Sequence, residues 1–166
     1  MSKVDTIEHC RGARRLTTSI EIVRLAHYPS DDLPSYHSAE AAGLDLLAAC
    51  ADRVELEPMK RAKIPTGIRV AVPKGIDAQI RPRSGLAFNH GVTIINSPGT
   101  IDQDYRGEIY LLLINLGNER FMVQRGERVA QIVFAPFIRI QWEEVSDLPR
   151  TERDEGGFGH TGMRSK

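Results

Sequence analysis

Two cysteines in 166 residues, Cys10 and Cys50, are too few for a disulfide framework, and neither belongs to a Cys-x-x-Cys pair. A reducing, cytoplasmic setting is therefore expected. An excess of one charge is also missing: Lys+Arg and Asp+Glu number 22 each. Nothing electrostatic thus argues for nucleic acid or an anionic membrane surface as a partner. No apolar run approaches the roughly 18 residues of a spanning helix, and the N-terminus lacks a secretory h-region. Arg11, Arg14 and Arg15 hint at a transit peptide, but Asp5 and Glu8 are wrong for one. Residues 1–18 are expected to form a disordered leader. Room for long helices is missing as well. Pro58, Pro65, Pro73 and Pro82 recur too closely for any helix of a dozen residues between them. Internal repeats are absent.

What is present alternates with period two. In "GIRVAV" (67–72), Ile68, Val70 and Val72 face one way and Arg69 the other. "FIRIQWEEV" (137–145) alternates Ile138, Ile140 and Trp142 with Arg139, Gln141 and Glu143. "SIEIVRL" (19–25) and "RVAQIVF" (128–134) predict further strands, and "IYLLLIN" (109–115) one buried on both faces. Only "SGLAFNH" (84–90) invites a short helical turn. Short strands between Gly/Pro turns indicate an all-β sandwich, jelly roll or barrel. The length suits one domain, here residues 19–148. The remaining tail, 149–166, carries four glycines between 156 and 162 and is expected to be mobile.

Polar clusters interrupt this ordinary pattern. "GTIDQDYRG" (99–107) sets Asp102, Asp104, Tyr105 and Arg106 directly before a buried run, either as a charged turn or as a site. "AAGLDLLAA" (41–49) places Asp45 within an apolar segment, where an unpaired carboxylate is costly. "RPRSGLA" (81–87) sets Arg83 and Ser84 at a helix start, where backbone N–H groups and a guanidinium could grip phosphate. "ERVAQIVFAP" (127–136) holds Gln131 within a strand, and "RDEGGFG" (153–159) holds Arg153 and Phe158 on a glycine-rich segment.

The order of these segments resembles the five ordered motifs of the trimeric dUTPase family, over roughly residues 19–162. The third motif of that family, G-x-I-D-x-D-Y-R-G, runs without a gap from Gly99 to Gly107. The fifth is matched by "RDEGGFGHTG" (153–162), with Asp154 where the family has glycine. That departure adds a Cβ and a negative charge where the γ-phosphate should lie, and is expected to weaken closure of the tail.

The resemblance implies a jelly-roll-like β-barrel that hydrolyses dUTP to dUMP and pyrophosphate with Mg²⁺. It would supply dUMP for thymidylate synthesis and keep uracil out of DNA. Asp102 matches the aspartate that activates the attacking water, and Tyr105 the tyrosine packed under the deoxyribose. Asn96 matches the asparagine of the hairpin that reads uracil. Arg83, Ser84 and Gln131 match phosphate contacts, and Gly85, Gly99 and Gly159 fall among the substrate-binding positions. Asp45 matches the aspartate held near the metal through water. Arg153 should reach the γ-phosphate and Phe158 should cover the uracil, while His160 is peripheral. Asp104 is expected to brace the turn through Arg106. The family's sites are shared among the subunits of a homotrimer, with the fifth motif crossing to a neighbour.

Two rivals share this scaffold. A dCTP deaminase would carry a catalytic glutamate five residues past the glycine of the third motif, where this chain has Leu112, and leucine cannot act as a general base. A non-catalytic regulator would be favoured by loss of Asp102 or of the phosphate contacts, and these are intact.

Overall fold

Alternation of apolar and polar residues decides the sheet faces. In the strand Ile68–Ala71, Ile68 and Val70 are buried and Arg69 is exposed, as period-two patterning requires. The computed structural model describes residues 18–157. Within it the elements run β1 (Glu21–Arg24), β2 (Gly43–Leu47), β3 (Val54–Leu56), β4 (Arg61–Pro65), β5 (Ile68–Ala71), β6 (Ile76–Arg81), α1 (Ser84–His90), β7 (Val92–Ile94), β8 (Gly99–Ile101), β9 (Tyr110–Asn115), β10 (Phe121–Val123) and β11 (Arg128–Pro136).

The strands pair antiparallel throughout, in a four-stranded sheet β2-β11-β6-β8, a three-stranded sheet β4-β9-β7, and the pairs β1-β5 and β10-β3. One hydrophobic core joins them. Leu46, Ala78, Ile80, Ala130 and Ile132 come from the first sheet, Ile64, Val92, Ile94, Leu111 and Leu113 from the second, and Ile68 and Val70 from the β1-β5 pair. The expected all-β, jelly-roll-like fold is thus observed, with the single short helix over the residues expected of it. No helix among the described residues is long and apolar enough to cross a membrane.

Two strand expectations need correction. Residues 137–145 form no strand among the described residues, and Ile138 and Trp142 are 87% and 90% exposed. Their alternation is real, but a strand also needs a partner, and these residues pair with no strand among the described residues. The strand β9 is buried on one face only: Leu111 and Leu113 lie in the core, whereas Tyr110 and Leu112 are each 37% exposed. On the outer face of β4-β9-β7, Arg61 and Lys63 are exposed beside Tyr110 and Leu112 among the described residues. The Lys63 ammonium sits 3.7 Å from the centre of the Tyr110 ring.

One irregularity matters for the site. Pairing of β11 with β2 shifts between Arg128 and Ala130, and Val129 and Ala130 are consecutively buried. Such a bulge inserts one residue and re-aims the side chains beyond it. It brings Gln131 opposite Asp45 on one side and Arg81 on the other.

Of the expected leader, residues 1–18, all but Thr18 lie outside the described residues, as do Phe158, Gly159 and His160 of the tail.

Candidate active site

The first cluster is assembled around the start of α1. Pro82 cannot donate a backbone hydrogen bond, and Arg83 is extended at the N-cap (φ −94°, ψ 130°) with no side-chain cap. The first helical bond runs from Ala87 N–H to Arg83 C=O, so the N–H groups of Ser84, Gly85 and Leu86 are not used within the helix. They open onto a cavity of about 350 Å³ that is also lined by Asp45, Arg83, Asn89, His90 and Gln131.

Asp45 is the hub, with a side chain only 16% exposed. Arg83 Nε and His37 Nε2 each approach its carboxylate to 3.1 Å, and Arg128 Nε to 3.7 Å. Arg83 also donates from Nη1 to the Arg128 carbonyl at 2.8 Å. Two guanidiniums thus face one carboxylate, and the cluster around Asp45 carries a net positive charge suited to an anion. Gln131 donates from Nε2 to the Pro82 carbonyl at 2.9 Å, locking the bulged strand to the residue before Arg83. Its amide oxygen lies where a Cβ on Gly43 would stand, 2.3 Å away, so the glycine is what admits the side chain.

The second cluster lies at the end of β8. The turn between β7 and β8, which passes from one sheet to the other, carries the exposed Asn96 and is tied to β9 by Ile95 N–H to Leu112 C=O, 2.9 Å. Gly99 is buried, and a Cβ there would stand 3.1 Å from Asn96 Nδ2. Beyond Ile101 the chain turns, with Tyr105 N–H donating to Asp102 C=O at 3.1 Å. The Asp102 carboxylate is exposed and makes no hydrogen bond or ion pair among the described residues. The Tyr105 hydroxyl donates to the Glu108 carbonyl at 2.7 Å, laying its ring over Gly107. The expected Asp104–Arg106 brace is not formed. Arg106 Nη1 instead donates to the carbonyls of Gln103 (2.6 Å) and Tyr105 (2.9 Å), which stiffens the turn without a carboxylate.

Asp45, Arg83, Ser84, Gly85 and Gln131 therefore meet in one cavity, whose lining includes none of Asn96, Asp102 and Tyr105. Arg153 stands in neither cluster's hydrogen bonding and donates from Nε to Gly156 C=O at 2.7 Å. The neighbouring Asp154 adopts φ 43°, the left-handed region that favours glycine and that aspartate tolerates better than most residues.

Sequence reasoning missed Asn89 and His90 in the cavity lining and His37 and Arg128 against Asp45. Arg128 lies within the fourth segment and carried a signal; His37 lies in a loop without pattern. Also missed was Glu108, directly after the third motif. Its Oε1 accepts from His27 Nε2 and from Gly67 N–H, each at 2.8 Å. Burial pushes this carboxyl up, but hydrogen bonds from His27, Gly67 and Tyr110 outweigh it and hold the group below its ordinary value. The bond to Glu108 in turn pushes the Tyr110 hydroxyl up.

The chain matches the dUTPase family over residues 30–162. It is 48% identical over 156 residues to the deoxyuridine 5'-triphosphate nucleotidohydrolase of Cytophaga hutchinsonii, covering 94% of this chain and 99% of the relative. The corresponding protein of Wolbachia pipientis subsp. Culex pipiens is 50% identical over 145 residues, covering 86% and 95%. Among solved structures, a mutant Staphylococcus bacteriophage 80alpha dUTPase with dUpNHpp aligns with TM-score 0.78 at 23% identity, over 88% of this chain and 99% of that one. A mutant dUTPase from phage phi11 of S. aureus, described with the coordination of a structural Mg(II) ion, aligns with TM-score 0.69 at 21% identity, over 78% and 98%. With five motif segments in order and nearly full-length relatives close to half identical, the chain belongs to the dUTPase family.

Proposed function

We propose that this protein hydrolyses dUTP to dUMP and pyrophosphate by in-line attack of water on the α-phosphate. The observation that carries the reading is the basin itself. Three separate segments deliver Asp45, Arg83, Ser84 and Gln131 to one cavity with free helix-start N–H groups, and Arg128 sets a second guanidinium against Asp45. Cleaving a phosphoanhydride needs little covalent chemistry from a protein; it needs an oriented water, charge neutralisation and exclusion of solvent.

Arg83, the Ser84 and Gly85 backbone and Gln131 bind the phosphate chain. Asp102, exposed and unencumbered, takes the proton of the attacking water as general base. Tyr105 packs under the deoxyribose and leaves no room for a 2′-hydroxyl, while the Asn96 turn and Gly99 meet the uracil. Arg153 binds the γ-phosphate, and Phe158 and Gly159 cover the base. Both Asp45 oxygens are engaged within the chain, and no group of three or more His, Cys, Asp or Glu among the described residues could hold a metal alone. That donor set fits a hydrated Mg²⁺ held mainly by substrate phosphates, with Asp45 reaching it through water. When bound, it would screen the charge of the phosphate oxygens.

The active form is a homotrimer with shared sites. This reading is supported by the separation of the Asp45–Arg83 basin from the Asp102–Tyr105 turn, and by exposed apolar side chains on Ile95, Tyr110, Leu112, Ile138, Ile140 and Trp142. A second chain would cover these and bring its turn to this basin. In the cell the reaction supplies dUMP for thymidylate synthesis and lowers the dUTP available to DNA synthesis.

Asp102→Asn tests the assignment. The change is nearly isosteric, so binding of a non-hydrolysable dUTP analogue should persist while turnover falls on the order of 10²–10⁴-fold. Wild-type turnover in that variant would remove Asp102 from the mechanism.

A further inference from the structure

The third motif ends at Gly107, yet the carbonyl that holds its tyrosine ring in place belongs to the next residue. We propose that Glu108, itself anchored by His27, is a positioning residue that sets the choice between deoxyribo- and ribonucleotides by fixing the Tyr105 ring. The proposal rests on the reading of Tyr105 as the residue beneath the sugar.

The contacts form one chain. The Tyr105 hydroxyl has its hydrogen bond at the Glu108 carbonyl, 2.7 Å away, so the ring goes where the Glu108 backbone goes. Gly107 between them has no side chain to set that backbone. On the far side the Ile109 N–H of the same peptide unit donates to the Ile68 carbonyl at 3.0 Å, and the Glu108 carboxylate adds the side-chain anchor through Oε1, which accepts from Gly67 N–H and His27 Nε2 at 2.8 Å each. Both anchors are fixed in turn. The Gly67 carbonyl accepts from Leu25 N–H at 2.8 Å, and the His27 carbonyl accepts from Arg125 Nη2 at 2.8 Å. Two residues on, the Tyr110 ring lies under the Lys63 ammonium.

A carboxylate only 11% exposed is a costly way to fill space. Its cost is offset by donors from two separate segments, around residues 27 and 67, that meet behind the turn. Sugar choice is a matter of where the ring face stands, and shifts well under the size of a hydroxyl group decide whether UTP fits. Arg106 stiffens the turn, but its bonds end at the Tyr105 carbonyl and leave the ring's hydroxyl end to the Glu108 anchor.

The experiment compares kcat/KM for dUTP and UTP, with thermal melting, in the wild type, Glu108→Ala, Glu108→Gln, His27→Ala and Tyr105→Ala. Glu108→Ala should lower the dUTP/UTP ratio by roughly tenfold, because a displacement near 1 Å in a positioning group costs up to 10²-fold. Glu108→Gln, whose amide oxygen still accepts from Gly67 and His27, should stay within about threefold of wild type. His27→Ala removes one anchor and should give an intermediate loss; it decides the matter alone if Glu108→Ala does not fold. An unchanged ratio in these variants alongside a lowered melting temperature makes Glu108 a structural residue only and overturns the proposal. If Tyr105→Ala itself keeps the wild-type ratio, the sugar reading of Tyr105 fails and this inference with it. A Tyr105→Ala loss that the Glu108 and His27 variants do not share overturns this inference alone.

Discussion

Adding one methyl group at Gly107 should separate catalysis from folding. An ideal Cβ there would stand 2.4 Å from the Tyr105 hydroxyl oxygen, 2.6 Å from Cζ and 2.9 Å from Cε2. Ordinary contact starts at 3.4 Å, so the phenol must retreat by about 1 Å. The Gly107 backbone is not in the left-handed region, so alanine introduces no strain of its own there. Tyr105 is 41% exposed and has solvent to retreat into. The stability cost therefore falls near the low end of overpacking, about 1 kcal/mol, plus about 1 kcal/mol for the lost bond to the Glu108 carbonyl. Catalysis should suffer more. Misplacement of a positioning group by 1 Å costs up to roughly 10²-fold, or nearly 3 kcal/mol in the barrier. The assay is kcat/KM on dUTP and UTP for Gly107→Ala, Tyr105→Ala and the double variant. Both changes act through one ring, so the double variant should be scarcely worse than Tyr105→Ala alone. Fully additive losses, or wild-type discrimination in Gly107→Ala, would refute the reasoning.

Other perturbations probe the remaining parts. A Cβ on Gly85 meets nothing within 4 Å, so Gly85→Ala should leave the melting temperature unchanged or raise stability by about 0.5–1 kcal/mol. It should nevertheless raise KM for dUTP, because the methyl group lies where phosphate would approach the helix start; unchanged KM would move the phosphate elsewhere. Asp154→Gly removes a left-handed aspartate at φ 43° and a negative charge near the expected γ-phosphate site. It should raise kcat/KM up to about tenfold, and no change would place Asp154 away from the phosphates. The folded state holds the Glu108 carboxyl below its ordinary 4.5, so it binds fewer protons there than the unfolded chain does. The stabilisation is present above pH 4.5 and is lost as pH falls through the depressed value. Glu108→Gln should therefore show a shallower acid loss of stability in that window by denaturant titration; an identical pH slope would contradict it.

Much of this fold could be read from local pattern. Period-two alternation located β5, an unbroken apolar run located β9, and "SGLAFNH" in an otherwise extended chain located α1. What pattern could not supply was the partner. The alternation at 137–145 matches that of any strand, yet pairing depends on a free edge that a sequence window does not contain. The outward exposure of Leu112 likewise depends on which sheet has a layer above it. In the site, a bulge of one residue brings Gln131 to face Asp45, and alternation alone would have set Ala130 there. The His27–Glu108 contact spans 81 residues, and His37 reaches Asp45 from a loop. Such pairings come from topology rather than from spacing. The motif segments were legible because each packs several polar residue types into a short run that solubility alone does not require.

Central to the proposed mechanism is a single site completed by two chains, the basin of Asp45, Arg83 and Gln131 on one and the Asp102–Tyr105 turn on another. Mixing two inactive variants tests it most directly. Arg83→Ala and Asp102→Asn would each be purified, combined at equal amounts, unfolded and refolded together, and assayed for pyrophosphate release from dUTP. In randomly assembled trimers, about one quarter of the sites would draw an intact Arg83 from one chain and an intact Asp102 from the next. Shared sites predict recovery of roughly that share of wild-type activity. A refolded mixture that binds dUTP but remains as inactive as its parents would contradict them.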